Sequence, residues 1–154
     1  MSCAQAQGSS SIFDLVSGFT LRTDNEALYT LRPRASDWLL EVAVNIDEVM
    51  LLPENWNSYG AAAIDGHSGS NAKILCERLS ERSVRTAPRV SASADGNLVL
   101  CWYFDNLSLE IEVMPDGTFD YMSLDELNDE NDRDGSLDVS SMADFVSVWL
   151  PATV

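Results

Sequence analysis

One histidine, His67, stands in a Gly-His-Ser-Gly stretch of a 154-residue chain. A single imidazole excludes two-histidine acid/base schemes and histidine-rich metal sites. A Ser-His-Asp relay survives that count, but no Gly-x-Ser-x-Gly elbow accompanies it. His67 therefore reads as an ordinary exposed loop residue, and an enzyme would have to use it with nearby carboxylates. No Walker loop or Gly-x-Gly-x-x-Gly run is present, so no nucleotide cradle and no cofactor are expected. Glu130-x-Asp132-x-Asp134-Gly135-x-Leu137-Asp138 has the acid spacing and turn glycine of a calcium loop. Its first position is Glu rather than Asp, and its twelfth is Ser141, where a bidentate Glu should close the shell. The stretch reads as an acidic loop rather than a metal site. A hydrolytic carboxylate pair needs a cleft and one acid kept neutral. Glu110 and Glu112 instead fall on the wet side of a strand.

The charge is the unusual feature. The net charge is −16, and residues 95–138 hold thirteen acids against one base, Arg133. Such a chain repels nucleic-acid phosphate and anionic membrane, so direct binding to either is not expected. A solvated acidic surface is one reading, and a docking face for a basic partner is the other. Candidate contact residues for the second are Glu110, Glu112, Asp120, Asp125, Glu126, Asp129, Glu130, Asp132 and Asp134. Trp56 and Tyr59 join them, in the turn-rich stretch Leu52-Pro53-Glu54-Asn55-Trp56-Asn57-Ser58-Tyr59-Gly60-Ala61. Packing predicts Trp56 as a plug between flanking helices, with Tyr59 over it. Function would make the same pair an aromatic binding loop.

The elements that position these residues follow from periodicity. Leu107, Leu109, Ile111 and Val113 alternate with Ser108, Glu110 and Glu112, which predicts a half-buried strand. Leu98 to Phe104 is apolar on both faces and reads as an inner strand, with Cys101 a buried thiol. Asp95-Gly96, Asp105-Asn106 and Pro115-Asp116-Gly117 supply the turns. Val90–Ala94 and Phe119–Tyr121 complete a four-strand meander. Trp38, Leu39, Val42, Ile46, Val49 and Met50 predict a helix over 36–52, capped by Ser36 or Asp37. A second helix is predicted over about 70–82, capped by Ser68 or Ser70. A third follows Ser140 or Ser141, with Met142, Phe145, Val146 and Trp149 as its apolar stripe. Residues 12–31 suggest a hairpin, 1–10 a frayed terminus, and 123–138 a mobile acidic loop.

No apolar run approaches the roughly 20 residues needed to cross a bilayer. The N-terminus has no basic block ahead of an apolar one, so no secretory signal is expected. Three cysteines, Cys3, Cys76 and Cys101, in no metal-binding spacing fit a reducing cytoplasm.

The stretch from Leu52 to Tyr121 resembles a pattern seen in many small, uncharacterised bacterial and phage proteins. The pattern runs from a Leu-Pro-x-x-Trp-x-x-Tyr-Gly-Ala loop to a Pro-Asp-Gly hairpin. The matching residues are Leu52, Pro53, Trp56, Tyr59, Gly60, Ala61, Pro88, Val90, Asp95, Gly96, Trp102, Leu109, Glu110, Ile111, Pro115, Asp116, Gly117 and Tyr121. The chain departs from it at Asn55-Trp56-Asn57, where the family often has Gly-Trp-Asp. The resemblance implies an order of elements and no activity.

These observations together predict an α+β domain over residues 11–154. It would be an antiparallel meander of four to six strands with two or three helices on one face. The expected function is a non-enzymatic acidic protein that binds a basic, nucleic-acid-binding partner, as an inhibitor, a nucleic-acid mimic or an antitoxin. A self-assembling structural subunit, using the aromatic loop and the last helix, is the second reading. An enzyme built on His67 is the third.

Overall fold

The computed structural model describes residues 37–150. The expected frayed terminus at 1–10 and the hairpin at 12–31 lie outside those residues. Three helices and five strands follow one another: α1 (Leu39–Met50), α2 (Gly66–Glu81), β1 (Arg89–Ala92), β2 (Leu98–Phe104), β3 (Leu107–Val113), β4 (Phe119–Asp125), β5 (Arg133–Leu137) and α3 (Val139–Trp149). The strands form one antiparallel sheet in sequence order, β1-β2-β3-β4-β5. The helices lie over one face of it, as the sequence predicts.

The period-two pattern sets the inward face. Leu98, Leu100 and Trp102 of β2, Leu109, Ile111 and Val113 of β3, and Phe119 of β4 are buried beneath the helices. Val42 and Ile46 of α1, Ala72, Leu75 and Leu79 of α2, and Met142 and Val146 of α3 meet them at helical spacing. On α3, Phe145 packs against Tyr121 with ring centroids 4.5 Å apart. The Trp149 indole donates to the Ser123 hydroxyl at 3.1 Å, which gives that buried hydroxyl of β4 a partner. Trp38 donates to the Val84 carbonyl at 2.9 Å and Trp102 to the Thr86 carbonyl at 3.0 Å. Two indoles thereby pin the α2–β1 connection.

α2 begins a turn earlier than predicted. Asp65, not Ser68 or Ser70, caps it by accepting from the His67 N–H. Ser68 is buried within the first turn. Its hydroxyl donates to the Val113 carbonyl at 2.6 Å and accepts from the Leu98 N–H at 2.7 Å. One side chain thus ties the helix to two neighbouring strands. Ser68→Ala would leave both backbone groups buried and unpaired, and we expect a loss of about 2 kcal/mol in a denaturant titration. No change in midpoint would show that water reaches them. α1 lacks a side-chain cap, since Trp38 occupies that position rather than Asp37. Ser36 lies outside the described residues. α3 starts at Val139 on Asp138, whose carboxylate accepts from the Ser141 N–H.

The segment 123–138 corrects the reading of a loop. β4 extends to Asp125, a 3-10 turn spans Asp129–Asn131, and Arg133–Leu137 forms the edge strand β5. Strand pairing with β4 supplies the backbone hydrogen bonds, so apolar periodicity is not required there. Phe119–Tyr121 is therefore an inner strand rather than an outer one.

Candidate interaction surface

The face of the sheet away from the helices has its own pattern. The register aligns Val99, Glu112, Asp120 and Ser136 in one row across β2 to β5. The next row runs Arg89, Cys101, Glu110, Met122, Asp134 across all five strands. A third aligns Tyr103, Ser108 and Leu124. Among the described residues no helix covers this face. Glu110, Asp120 and Asp134 are exposed and Glu112 is half-buried. Tyr103, Met122 and Leu124 are 52%, 48% and 41% exposed. The result is a surface of carboxylates interleaved with large apolar side chains.

Its electrostatics are unbalanced. Glu112 and Asp120 lie directly opposite each other on neighbouring strands, an arrangement that destabilises a sheet. Asn97 donates to Glu112 at 2.9 Å, which satisfies an oxygen without cancelling its charge. The Tyr103 hydroxyl donates to Glu110 at 3.1 Å. The Cys101 thiol, then burial and Glu110, push that phenol up to about 12. Among the described residues the base on this face is Arg89, at its margin, with its guanidinium 5.7 Å from the centre of the Tyr103 ring. Burial pushes the Cys101 thiol up.

The candidate acids divide into three groups. Glu110, Glu112, Asp120 and Asp134 share the open face. Glu126, Asp129 and Glu130 are exposed in the β4–β5 connection. Asp125 and Asp132 do local structural work. Asp125 accepts from Asn131, Asn106 and the Leu127 N–H, while Asp132 accepts from the Asp125 N–H at 2.8 Å. The Asn131 hydrogen bond, first among these, holds the Asp125 carboxyl below its ordinary 3.8. Asp116 is lowered chiefly by the Thr118 hydroxyl, and Asp65 and Asp138 by the N–H groups of His67 and Ser141. A lowered folded pKa adds stability above the unfolded value, and that stability drains away as pH falls through the lowered value. Acid unfolding is accordingly expected only below about pH 4. Loss of near-ultraviolet circular dichroism beginning above pH 5 would contradict it.

The calcium-like spacing does not converge. Asp132 and Asp138 are spent on backbone N–H groups, and the residues between them are extended in β5. Among the described residues, no three carboxylate, histidine or cysteine groups gather as a metal site. His67 is exposed beside its own helix cap, with Nδ1 3.3 Å from Asp65. Neighbouring Ser68 is committed to backbone on both sides. The groove between α1 and α2, bordered by Leu39, Ala43, Ile46, Lys73, Cys76 and Glu77, holds about 70 Å³. That falls far below the roughly 300 Å³ of a small-molecule site.

The aromatic loop departs in part from its packing prediction. Tyr59 is 92% exposed, and Trp56 is half-buried with its indole nitrogen enclosed, outside the core cluster of the described residues. The loop curls on itself instead. The Asn55 side chain accepts from the Gly60 N–H and that of Asn57 from the Tyr59 and Ala61 N–H groups. The Asn55 N–H donates to the Ala61 carbonyl at 2.7 Å. Asn55 and Ser58 sit at φ 63° to close these turns. The core beside the loop is filled by Leu52, Ala61 and Ile64.

Sequence reasoning missed Tyr103, Met122 and Leu124 as surface contacts. The signal was present in Phe-Asp-Tyr-Met-Ser-Leu-Asp, where apolar residues occupy both parities of β4. No family model, curated protein or solved structure matches the chain.

Proposed function

We propose that this chain is a non-enzymatic interaction protein that docks the open face of its sheet on a basic surface of another protein. The observation that carries the reading is the pairing of exposed Tyr103, Met122 and Leu124 with four carboxylates on a face no described helix covers. Apolar side chains give such an interface its core, while charge selects the partner and speeds the encounter. A partner that binds nucleic acid fits best, because carboxylates can compete for the same arginines that hold phosphate. An inhibitor or antitoxin acting on such a protein would use this chemistry. Affinity for a basic, nucleic-acid-binding protein captured from lysate on the immobilised chain is expected to fall at least about tenfold between low and high salt, as exposed charge pairs are screened. Affinity indifferent to salt would overturn the reading.

Self-assembly remains a second reading, favoured by the exposure of Tyr59 on a loop whose one charge is Glu54. A mass that grows with concentration, and is abolished by Tyr59→Ser, would support it over the first.

A further inference from the structure

We propose that the occupant of the open face is a basic amphipathic α-helix of the partner, lying across the strands, with basic and apolar residues alternating turn by turn on its contact side. The proposal rests on the acidic docking reading and specifies what docks. The central row runs from Glu110 on β3 through Met122 on β4 to Asp134 on β5. Acid, apolar and acid therefore follow one another at the strand spacing of about 4.8 Å. A helix repeats every 5.4 Å or so along its axis, and residues seven apart are about 10.5 Å apart. Two strand spacings are about 9.6 Å. Residues i and i+7 of such a helix can thus reach Glu110 and Asp134, with residue i+4 on Met122.

An extended partner does not fit this pattern. Laid along β3 it would meet Ser108, Glu110 and Glu112, a column without an apolar contact. Laid along β4 it would meet Asp120, Met122 and Leu124, with one acid at the end. The alternation exists only across the strands. A second copy of the chain is disfavoured by charge, since this face would bring acid to acid in a molecule at −16. The exposed apolar residues are the second feature: Tyr103, Met122 and Leu124 share one face with the acids, which gives an interface apolar contacts between its charges.

The test uses the full chain and three labelled peptides of equal length and net charge, followed by fluorescence anisotropy. The first is helical, with lysine at i and i+7 and leucine at i+4 on one face. The second is helical with lysine and leucine on opposite faces. The third carries the first pattern interrupted by proline. The first is expected to bind at least about tenfold tighter than the others. Met122→Ala and Asp134→Asn should each erase most of that advantage, while Glu48→Gln, on the exposed side of α1, leaves it intact. Equal, salt-sensitive binding of all three would overturn the helical occupant and leave acidic docking standing. Binding of none, even at low salt, would overturn both.

Discussion

Asp120→Lys is expected to stabilise the protein and to weaken its hold on its partner. On the open face Asp120 stands directly opposite Glu112, and its other neighbour in the row is Ser136. Lysine there would turn a like-charge cross-strand pair into an ion pair, a gain of about 0.5 kcal/mol. The same change puts a positive charge in the centre of the docking face. Like-charge juxtaposition at an interface costs several kcal/mol, so affinity for a basic partner should fall by about a hundredfold. The opposed signs make the result informative. An acidic patch kept only for solubility would show the stability gain with no loss of binding. Thermal denaturation and a binding isotherm on the same preparation read both.

The largest effect on folding is expected from Trp102→Ala, at about 3–5 kcal/mol. Trp102 is 2% exposed and is among the largest side chains of the core. It stands opposite Leu109 on the adjacent strand within the same core cluster, and its indole N–H holds the Thr86 carbonyl. Alanine would open a cavity and orphan that carbonyl together. Trp102→Phe should recover much of the packing but not the hydrogen bond, leaving a cost nearer 1–2 kcal/mol. Chemical denaturation separates the two. Equal losses for both variants would mean that the hydrogen bond, not the volume, is what the tryptophan contributes.

The sheet was legible because β2 and β3 carry strong patterns. Leu107, Leu109, Ile111 and Val113 alternate with polar residues, and Asp105-Asn106 marks the turn between the strands. β5 was not legible, because Arg133-Asp134-Gly135-Ser136-Leu137 has neither β-branched residues nor alternation. Its place comes from backbone pairing with β4, a tertiary effect that local propensity does not encode. The start of α2 slipped by a turn because the expected caps were Ser68 and Ser70, whereas Asp65, just upstream of both, is the residue that accepts from the first turn. Ser68 proved to be a buried bridge rather than a cap. The same limit applies to the interaction face. The acids were visible as charge density, but which of them share a surface depends on register. Asp125 and Asp132 look identical in sequence to Asp120 and Asp134, yet they hold the β4–β5 connection together. For Trp56 and Tyr59 the sequence offers two readings, a packed plug and an aromatic binding loop, and size favours the first. The asparagines on either side of Trp56 instead close the loop on itself and leave Tyr59 outside.

The most direct measurement is a two-dimensional amide NMR titration of the full chain with a basic partner or the striped peptide. Resonances of Val99, Tyr103, Glu110, Glu112, Asp120, Met122 and Asp134 should shift together, and the shifts should collapse in high salt. Shifts confined to residues 53–61 or to the outer surface of α1 would contradict docking through the open face and move the interface to the aromatic loop or the helical layer.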